Sequence, residues 1–186
     1  MRKWKLGRAA RLTGAALAVA VLGTAISAGM ALAGDRGAGS TKDAVRATAR
    51  FHDLAQARHA GYGLLKDKQG IACIAMDDMP EMGAMGLHYA KQALVADGSL
   101  DVTKPEALVY APGATSPQLA ALEYLVVKSA WDAKHASPPS LFGHPFNLTP
   151  AGNRFGLPAF YSLHAWIWKH NPAGTFSMWN PEVKCR

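Results

Sequence analysis

Residues Phe160–Pro181, FYSLHAWIWKHNPAGTFSMWNP, hold three of the five tryptophans and two of the seven histidines of the chain. The aromatic-rich part from Phe160 to Trp168 ends before Asn171-Pro172, a turn signal, and this pattern predicts a β-strand. Side chains alternate across a strand, so the segment has two faces. The face expected in the core has Tyr161, Leu163, Ala165 and Ile167. The other face has Phe160, Ser162, His164, Trp166 and Trp168.

The second face suits the wall of a ligand pocket, because rings supply contact area and a few polar groups fix the orientation of a ligand. The predicted ligand-binding residues are His164, Trp166, Trp168 and Ser162, together with Tyr89 from an earlier strand. The alternative is a sheet face covered by a helix, with His164 hydrogen-bonded in the core.

The first 33 residues are predicted to be a secretory signal peptide. Five basic residues between Arg2 and Arg11 precede the uncharged run Leu12–Ala33, which ends in the small-x-small cleavage site Ala31-Leu32-Ala33. An uncleaved anchor is the alternative, because 22 uncharged residues can span a bilayer. We prefer cleavage, since small residues dilute the run. The protein is then secreted or in the cell envelope, and it contacts a membrane only through this segment before cleavage.

The charge of the mature chain argues against a nucleic-acid partner. The chain has 20 basic and 13 acidic residues, and the signal segment removes five basic residues and no acidic ones. The mature chain therefore carries 15 basic and 13 acidic residues, a net charge of +2. No nucleic-acid partner is expected at this charge. The remaining sequence fits a flexible lead at 34–40 and a single globular domain at 41–186.

Two cysteines, Cys73 and Cys185, are present in the whole chain. An even pair in an exported protein predicts one disulfide, which would tie the second-last residue to an early strand. Two free thiols that ligate a metal or act as a nucleophile are the alternative.

The fold predicted from the pattern is α+β. A helix is expected over Thr41–Ala60, with Ser40 or Thr41 as its cap and Gly61 at its end. It should pack on a curved antiparallel sheet of about five or six strands, with a partly closed barrel as a refinement. The other predicted strands are Ile71–Ala75, Met85–Tyr89, Glu106–Tyr110 and Leu119–Val127.

The segment Leu119–Val127 decides the position of Glu123. As a strand paired with Glu106–Tyr110, it places Glu123 on one face with Leu119, Ala121, Leu125 and Val127. A buried carboxylate must be paired, hydrogen-bonded, metal-bound or protonated. As a helix starting at Ser116-Pro117, the segment would leave Glu123 exposed.

Several motifs together give the chain a recognisable pattern. They are Gly86-Leu87-His88-Tyr89, Lys104-Pro105-Glu106-Ala107-Leu108-Val109-Tyr110, Leu122-Glu123-Tyr124, Leu141-Phe142-Gly143, Leu163-His164-Ala165-Trp166-Ile167-Trp168, Asn171-Pro172-Ala173-Gly174, and Trp179-Asn180-Pro181 with Cys185. Over most of the mature chain, this pattern resembles a set of uncharacterised exported bacterial proteins. The resemblance implies a secreted single domain and supplies no activity.

The candidate metal ligands are His88, Glu123 and His164, with Glu106 and His170 as alternatives. Two imidazoles and a carboxylate can hold a divalent metal and leave positions open for water or substrate. Such a site is compatible with an enzyme and with a metal-binding protein. The sequence has no G-x-S-x-G, P-loop, H-E-x-x-H or C-x-x-C motif. The thioethers of Met76, Met79, Met82 and Met85 could bind copper, but methionine is also an ordinary core residue, so we interpret these residues as packing.

The principal functional hypothesis is a secreted domain that binds a small ligand in the aromatic pocket, with no assigned reaction. The alternatives are the metal site, a metal-free His–Glu acid–base pair and a purely structural role. Convergence of the candidate ligands within about 5 Å favours metal or acid–base chemistry. Tryptophans that line a void, rather than contact the helix, favour ligand binding.

Overall fold

The computed structural model describes residues 39–76 and 78–185. The predicted signal peptide and most of the predicted lead lie outside these residues, so both stay predictions. None of the helices in the described part of the chain has the length and hydrophobicity that crossing a membrane requires.

The described residues form four α-helices and nine strands. The helices are α1 (Thr41–Thr48), α2 (Leu54–His59), α3 (Gln92–Asp97) and α4 (Lys128–Asp132), and short 3-10 helices span Ala49–His52 and Pro80–Met82. The strands are β1 (Gly63–Leu64), β2 (Cys73–Ala75), β3 (Ala84–Ala90), β4 (Ala107–Ala111), β5 (Gln118–Val127), β6 (Ser140–Leu141), β7 (His144–Pro145), β8 (Asn147–Thr149) and β9 (Phe160–Ala165).

Seven strands form one antiparallel sheet in the order β1-β3-β4-β5-β9-β8, and β2 also pairs with β3. Because β1 and β2 pair with different parts of β3, the sheet is six strands wide. The predicted α+β class and antiparallel sheet are confirmed. The sheet is open rather than closed into a barrel, and β6 and β7 form a separate hairpin. The ambiguous segment Leu119–Val127 is a strand that pairs with β4, as predicted.

The N-terminal helical segment is capped as predicted but is not continuous. The Ser40 hydroxyl accepts the N–H of Asp43, whose carboxylate accepts the N–H of Ser40. The prediction of one helix over Thr41–Ala60 is wrong. Asp53 takes an extended conformation, and its carboxylate caps α2 by accepting the N–H of Ala55. Aspartate competes with the helix backbone in this way, so the helix restarts at Leu54.

One face of the sheet packs against these helices, and the core between them contains three buried tyrosines. Each hydroxyl donates to a backbone carbonyl: Tyr110 to Phe51 at 2.7 Å, Tyr124 to Val102 at 2.8 Å, and Tyr62 to Pro105 at 2.8 Å. These bonds satisfy the polar ends of rings whose bodies fill the core.

The last strand is shorter than the predicted strand Phe160–Trp168. It ends at Ala165 because the N–H groups of Trp168 and Lys169 turn away and donate to the carbonyl of Ala120. The Trp168 ring therefore reaches the helix side, where its indole N–H donates to the Thr48 hydroxyl at 3.3 Å. The prediction that Trp168 shares a face with His164 is wrong for this reason.

A β-bulge changes the predicted faces of β5. Val109 pairs with Ala121 and Tyr110 pairs with Leu119, so Ala120 is an extra residue. Leu119 then packs in the helix-side core, whereas Ala121 packs on the opposite side of the sheet. The prediction that these two residues share a face with Glu123 is therefore wrong for Leu119. Bulges bend a strand and increase its twist, so this one contributes to the curvature of the sheet.

Gly86 gives β3 a conformation that other residues adopt with strain. Its φ is 96°, and a Cβ at this position would lie 2.6 Å from the carbonyl oxygen of Tyr110 on β4. The glycine therefore allows β3 to approach β4 closely, two residues before His88.

The predicted disulfide Cys73–Cys185 is present and joins the edge strand β2 to the second-last residue, with a sequence separation of 112. Beside it, Ala84 and Asn180 exchange backbone hydrogen bonds. The C-terminal segment is thereby fixed across the sheet face opposite to the helices.

Replacing both cysteines with serine should lower the free energy of unfolding by about 2–5 kcal/mol, because the unfolded chain loses a large closed loop. Urea unfolding of the oxidised wild type and of the C73S/C185S variant measures the difference. The wild type unfolded with a reductant present is the control and should match the variant. A loss below about 1 kcal/mol would contradict the expectation.

Gly86→Ala should destabilise the protein more than Gly70→Ala does. Both glycines have positive φ, but a Cβ at Gly70 meets nothing within 4 Å. We expect a loss of about 1 kcal/mol for G70A from backbone strain and about 3 kcal/mol or more for G86A, which also forces β3 and β4 apart. Thermal unfolding of the two variants measures both values, and equal losses would show that the close approach to Tyr110 is unimportant.

Candidate functional site

The side chains of His88 on β3, Glu123 on β5 and His164 on β9 meet on the sheet face opposite to the helices. Nε2 of His88 lies 3.2 Å from Nε2 of His164 and 3.6 Å from Oε2 of Glu123. One ligand atom from each residue lies within 4.8 Å of the others. The structure thus brings together the three residues that the sequence analysis selected as a candidate metal site.

The contact between the two imidazoles requires a curved sheet. Glu123 and His164 are direct cross-strand partners, whereas β3 is three strands away from β9. In a flat sheet, with about 4.8 Å between strands, His88 and His164 would be about 14 Å apart, too far for their rings to touch. Ala107 and Val109 of β4, which pair with Glu123 and His88, are small enough to leave room above the intervening strand.

All three side chains are buried, with 2% of His88, 2% of His164 and 7% of Glu123 exposed. Burial lowers the pKa of His88 to about 4, against a weaker opposing effect of the Gly86 backbone. Burial, and then the neighbouring His88, lowers the pKa of His164 well below its ordinary value. Both imidazoles are therefore neutral at pH 7 and offer lone pairs to a Lewis acid.

Burial raises the pKa of the Glu123 carboxyl to about 7, with the Ser162 hydroxyl opposing the shift. A carboxylate in this place needs a cation beside it or must hold a proton. The described residues that line the cavity at Glu123 include no lysine or arginine. The site therefore combines one carboxyl group with two neutral nitrogen donors, and no lysine or arginine lies among the described residues that line it.

The three side chains face a cavity of about 50 Å³, which is room for one or two water-sized species. Its other lining residues are Leu65, Met85, Leu125, Thr149, Phe155, Leu157, Phe160, Ser162 and Met178. Most of these are apolar, so a polar or charged occupant would be held by His88, Glu123 and His164.

Two loop segments cover the cavity. The first carries Phe155 and Leu157 and is tied down by Arg154, whose Nε and Nη2 donate to one carboxylate oxygen of Asp67 at 3.0 and 2.7 Å. The second is the C-terminal segment that contributes Met178. The site is thus enclosed by segments that are fixed by an ion pair and by the disulfide.

The geometry of the trio fits one shared centre better than separate hydrogen bonds. Nε2 of His88 has either one proton or one lone pair, yet it faces both His164 and Glu123. The 3.6 Å contact with Glu123 is longer than a hydrogen bond. Metal bonds of about 2.0–2.1 Å at tetrahedral angles place ligand atoms about 3.3 Å apart, close to the observed 3.2 and 3.6 Å.

The Nδ1 atoms of both imidazoles are buried and have no hydrogen-bond partner among the described residues. The Gly86 backbone lies near His88, but without hydrogen-bond geometry. Unsatisfied buried polar atoms lower stability and are rare in native cores. Their presence argues against a purely structural role for the two histidines.

A second, larger pocket of about 260 Å³ adjoins the cavity and shares Leu65, Glu123, Leu125 and Leu157 with it. It also contains Glu106, which the sequence analysis retained as an alternative carboxylate. Glu106 is outside the convergent trio; its Oε2 accepts the N–H of Leu125 at 2.9 Å. Burial raises the pKa of Glu106 to about 8, although this hydrogen bond opposes the shift.

The residues predicted to bind a ligand are divided by the sheet. His164 and Ser162 line the cavity, whereas Tyr89 packs on the helix side against Tyr110, with ring centroids 5.2 Å apart. Trp168 also lies on the helix side, and Trp166 lies beside His164, with ring centroids 6.2 Å apart, outside the residues that line the cavity.

Other sequence candidates lie apart from the trio. His170 is exposed and its Nδ1 is 3.8 Å from the Glu182 carboxylate. Of the four methionines at 76–85, Met85 alone lines the cavity, among the described residues. Sequence reasoning missed Phe155, Leu157 and Met178, which come from segments without strand or helix periodicity.

Comparison of the chain with models of known protein families, with curated proteins and with solved structures found no match. The resemblance to exported bacterial proteins therefore stays a prediction.

Glu106→Gln should remove a pH dependence of stability. The pKa of Glu106 is raised from 4.5 to about 8 in the folded protein, so its contribution to stability is complete below pH 4.5 and is lost as the pH rises to about 8. The free energy of unfolding of the wild type, relative to E106Q, should fall over this window by an amount on the order of a few kcal/mol.

Urea unfolding at pH 4.5, 6 and 8 measures this difference between the two proteins. The matched control is E81Q, which alters an exposed glutamate and should run parallel to the wild type. If E106Q also runs parallel to the wild type, then Glu106 does not titrate in this window.

Proposed function

We propose that the protein binds one divalent transition-metal ion through Nε2 of His88, a carboxylate oxygen of Glu123 and Nε2 of His164. The observation that carries this proposal is the convergence of these three buried groups, from three strands, within 4.8 Å. This convergence is the arrangement that, on the sequence-based expectation, favours metal or acid–base chemistry. The alternative was a sheet face that serves only for packing.

The electrostatics of the site support a cation as its occupant. Two neutral imidazoles and one carboxylate lie together, and no basic side chain lines the described cavity. A dication would balance Glu123 and use the Nε2 lone pairs of both histidines. The ion would therefore offset the free-energy cost of burying the carboxylate.

Two histidines and one carboxylate are a donor set that suits zinc, iron or copper. Three protein ligands leave at least one coordination position, and the cavity has room there for a water or a small substrate atom. Such an ion supplies Lewis acidity and a nucleophilic water. The surrounding apolar side chains exclude bulk water from this position.

We propose that the protein works outside the cytoplasm, either secreted or in the cell envelope. The Cys73–Cys185 disulfide is consistent with an oxidising compartment. The basic start and the uncharged run up to Ala33 support export through a cleaved signal peptide.

The second candidate function is binding of a small organic ligand, and the 260 Å³ pocket beside the trio favours it. The residues that line this pocket are mainly aliphatic. A ligand would therefore contact aliphatic side chains here, rather than the tryptophans expected from the sequence. Glu123 borders both spaces, so the two candidate sites are adjacent.

The metal proposal predicts about one equivalent of zinc, iron or copper per chain. The mature protein, residues 34–186, should be exported to an oxidising compartment, purified without a histidine tag and analysed by plasma mass spectrometry. H88A and H164A should each lose the metal, because two remaining ligands bind weakly. Glu123→Gln should lower the affinity at least tenfold, since it removes the anionic ligand.

The control variant is H170A, which removes an exposed imidazole that the sequence also suggested, and it should retain the metal. Thermal unfolding shows whether each variant is folded. The proposal is wrong if the folded wild type contains no metal before and after reconstitution. It is also wrong if folded H88A and H164A keep full metal occupancy.

A further inference from the structure

The larger pocket beside the trio has apolar walls and a polar floor. Its walls include Leu64, Val95, Leu125 and Leu157, and its polar side chains are Gln92, Glu106 and Glu123. No lysine, arginine or histidine is among the described residues that line it. The chemistry of the pocket is therefore hydrocarbon with carboxyl groups, which excludes recognition of an anion.

Glu106 lines this pocket and is held in position by a backbone hydrogen bond. Only 2% of the residue is exposed, and its Oε2 accepts the N–H of Leu125 from β5. Among the described residues, no side chain donates a hydrogen bond to Glu106. A carboxylate oxygen is therefore available to an occupant of the pocket, and the backbone of β5 sets its position in advance.

The charged groups that act on Glu106 are also acidic. Asp97 at the end of α3 and Glu123 on β5 both disfavour its ionised form. The hydroxyls of Tyr62 and Tyr124 are titratable groups that interact with Glu106 as well. The ammonium group of the nearby Lys91 lies on the helix side, 5.8 Å from the centre of the Tyr62 ring. The pocket therefore lacks a positive partner of its own.

We infer that this pocket binds a small primary ammonium ion with an aliphatic body, and that Glu106 pairs with the ammonium group. An ammonium group has three donors, which match carboxylate oxygens, and its charge compensates the buried acids. The aliphatic walls would cover the body of the ligand. A volume of about 260 Å³ is below the usual range for drug-sized ligands, so the body has only a few carbon atoms.

This inference deepens the ligand-binding part of the proposed function, and it does not require the metal. Glu106 is outside the metal trio, so its pairing with an ammonium ion stands on the pocket alone. Glu123 lines both this pocket and the metal cavity, so a ligand bound here would lie next to the metal site.

Isothermal titration calorimetry of the mature protein at pH 8 can test the inference with three probes that share one chain length: pentylamine, 1-pentanol and pentanoate. We expect pentylamine to bind at least tenfold more tightly than pentanol, because only the amine offers a positive charge to Glu106. Pentanoate should give no measurable binding. Equal binding of amine and alcohol, or no binding of the amine at millimolar concentration, would overturn the inference.

Two variants locate the binding and separate it from the metal. E106Q keeps the size of the side chain and should weaken pentylamine at least tenfold while changing pentanol little; the exposed control E81Q should bind like the wild type. H164A should lose the metal and still bind pentylamine. A folded E106Q that binds the amine normally would contradict the role of Glu106, whatever the metal content shows.

Discussion

The contact between His88 and His164 across two intervening strands depends on the bending of the sheet. The bulge at Ala120 and the positive φ of Gly86 provide backbone irregularities on the strands that must bend. Bending makes the face opposite to the helices concave, so side chains from β3, β5 and β9 point toward one centre. A flat sheet of the same sequence would hold these residues too far apart to act together.

The buried polar groups of the site lower the stability of the fold, and their location bears on the function of the site. Within the described part of the chain, two buried imidazole Nδ1 atoms have no hydrogen-bond partner, and no lysine or arginine lines the pockets of the buried Glu123 and Glu106. Elsewhere in the core, polar groups are satisfied, as in the buried Tyr110 and Tyr124, whose hydroxyls reach backbone carbonyls. Among the described residues, the fold satisfies these tyrosines and leaves its unsatisfied buried side-chain atoms on the two histidines of the trio, where an ion or molecule can bind.

Sequence reasoning succeeded where a polar residue interrupts an apolar strand. Glu123 and His164 were found in this way, because β5 alternates regularly after its bulge and pairs directly with β9. It failed for Trp168, whose direction is decided by hydrogen bonds to Ala120, a residue distant in the sequence. It also failed for Phe155. This residue lies in a loop without sequence periodicity, and the Arg154–Asp67 ion pair fixes the position of that loop. Local sequence patterns carry no information about tertiary hydrogen bonds or about the docking of loops.

The two buried glutamates differ in what holds them, and this difference suggests separate roles. Glu106 is positioned by the N–H of Leu125, which leaves it fixed whether or not the adjoining site is filled. Among the described residues, no backbone N–H donates to the Glu123 carboxylate, which lies 3.6 Å from Nε2 of His88. An ion bound to the histidines would draw Glu123 toward itself and lower the negative charge shared with Glu106. Occupation of the metal site would therefore weaken the attraction of the neighbouring pocket for a cation. Glu123 would thus couple cation binding in the pocket to the occupation of the metal site.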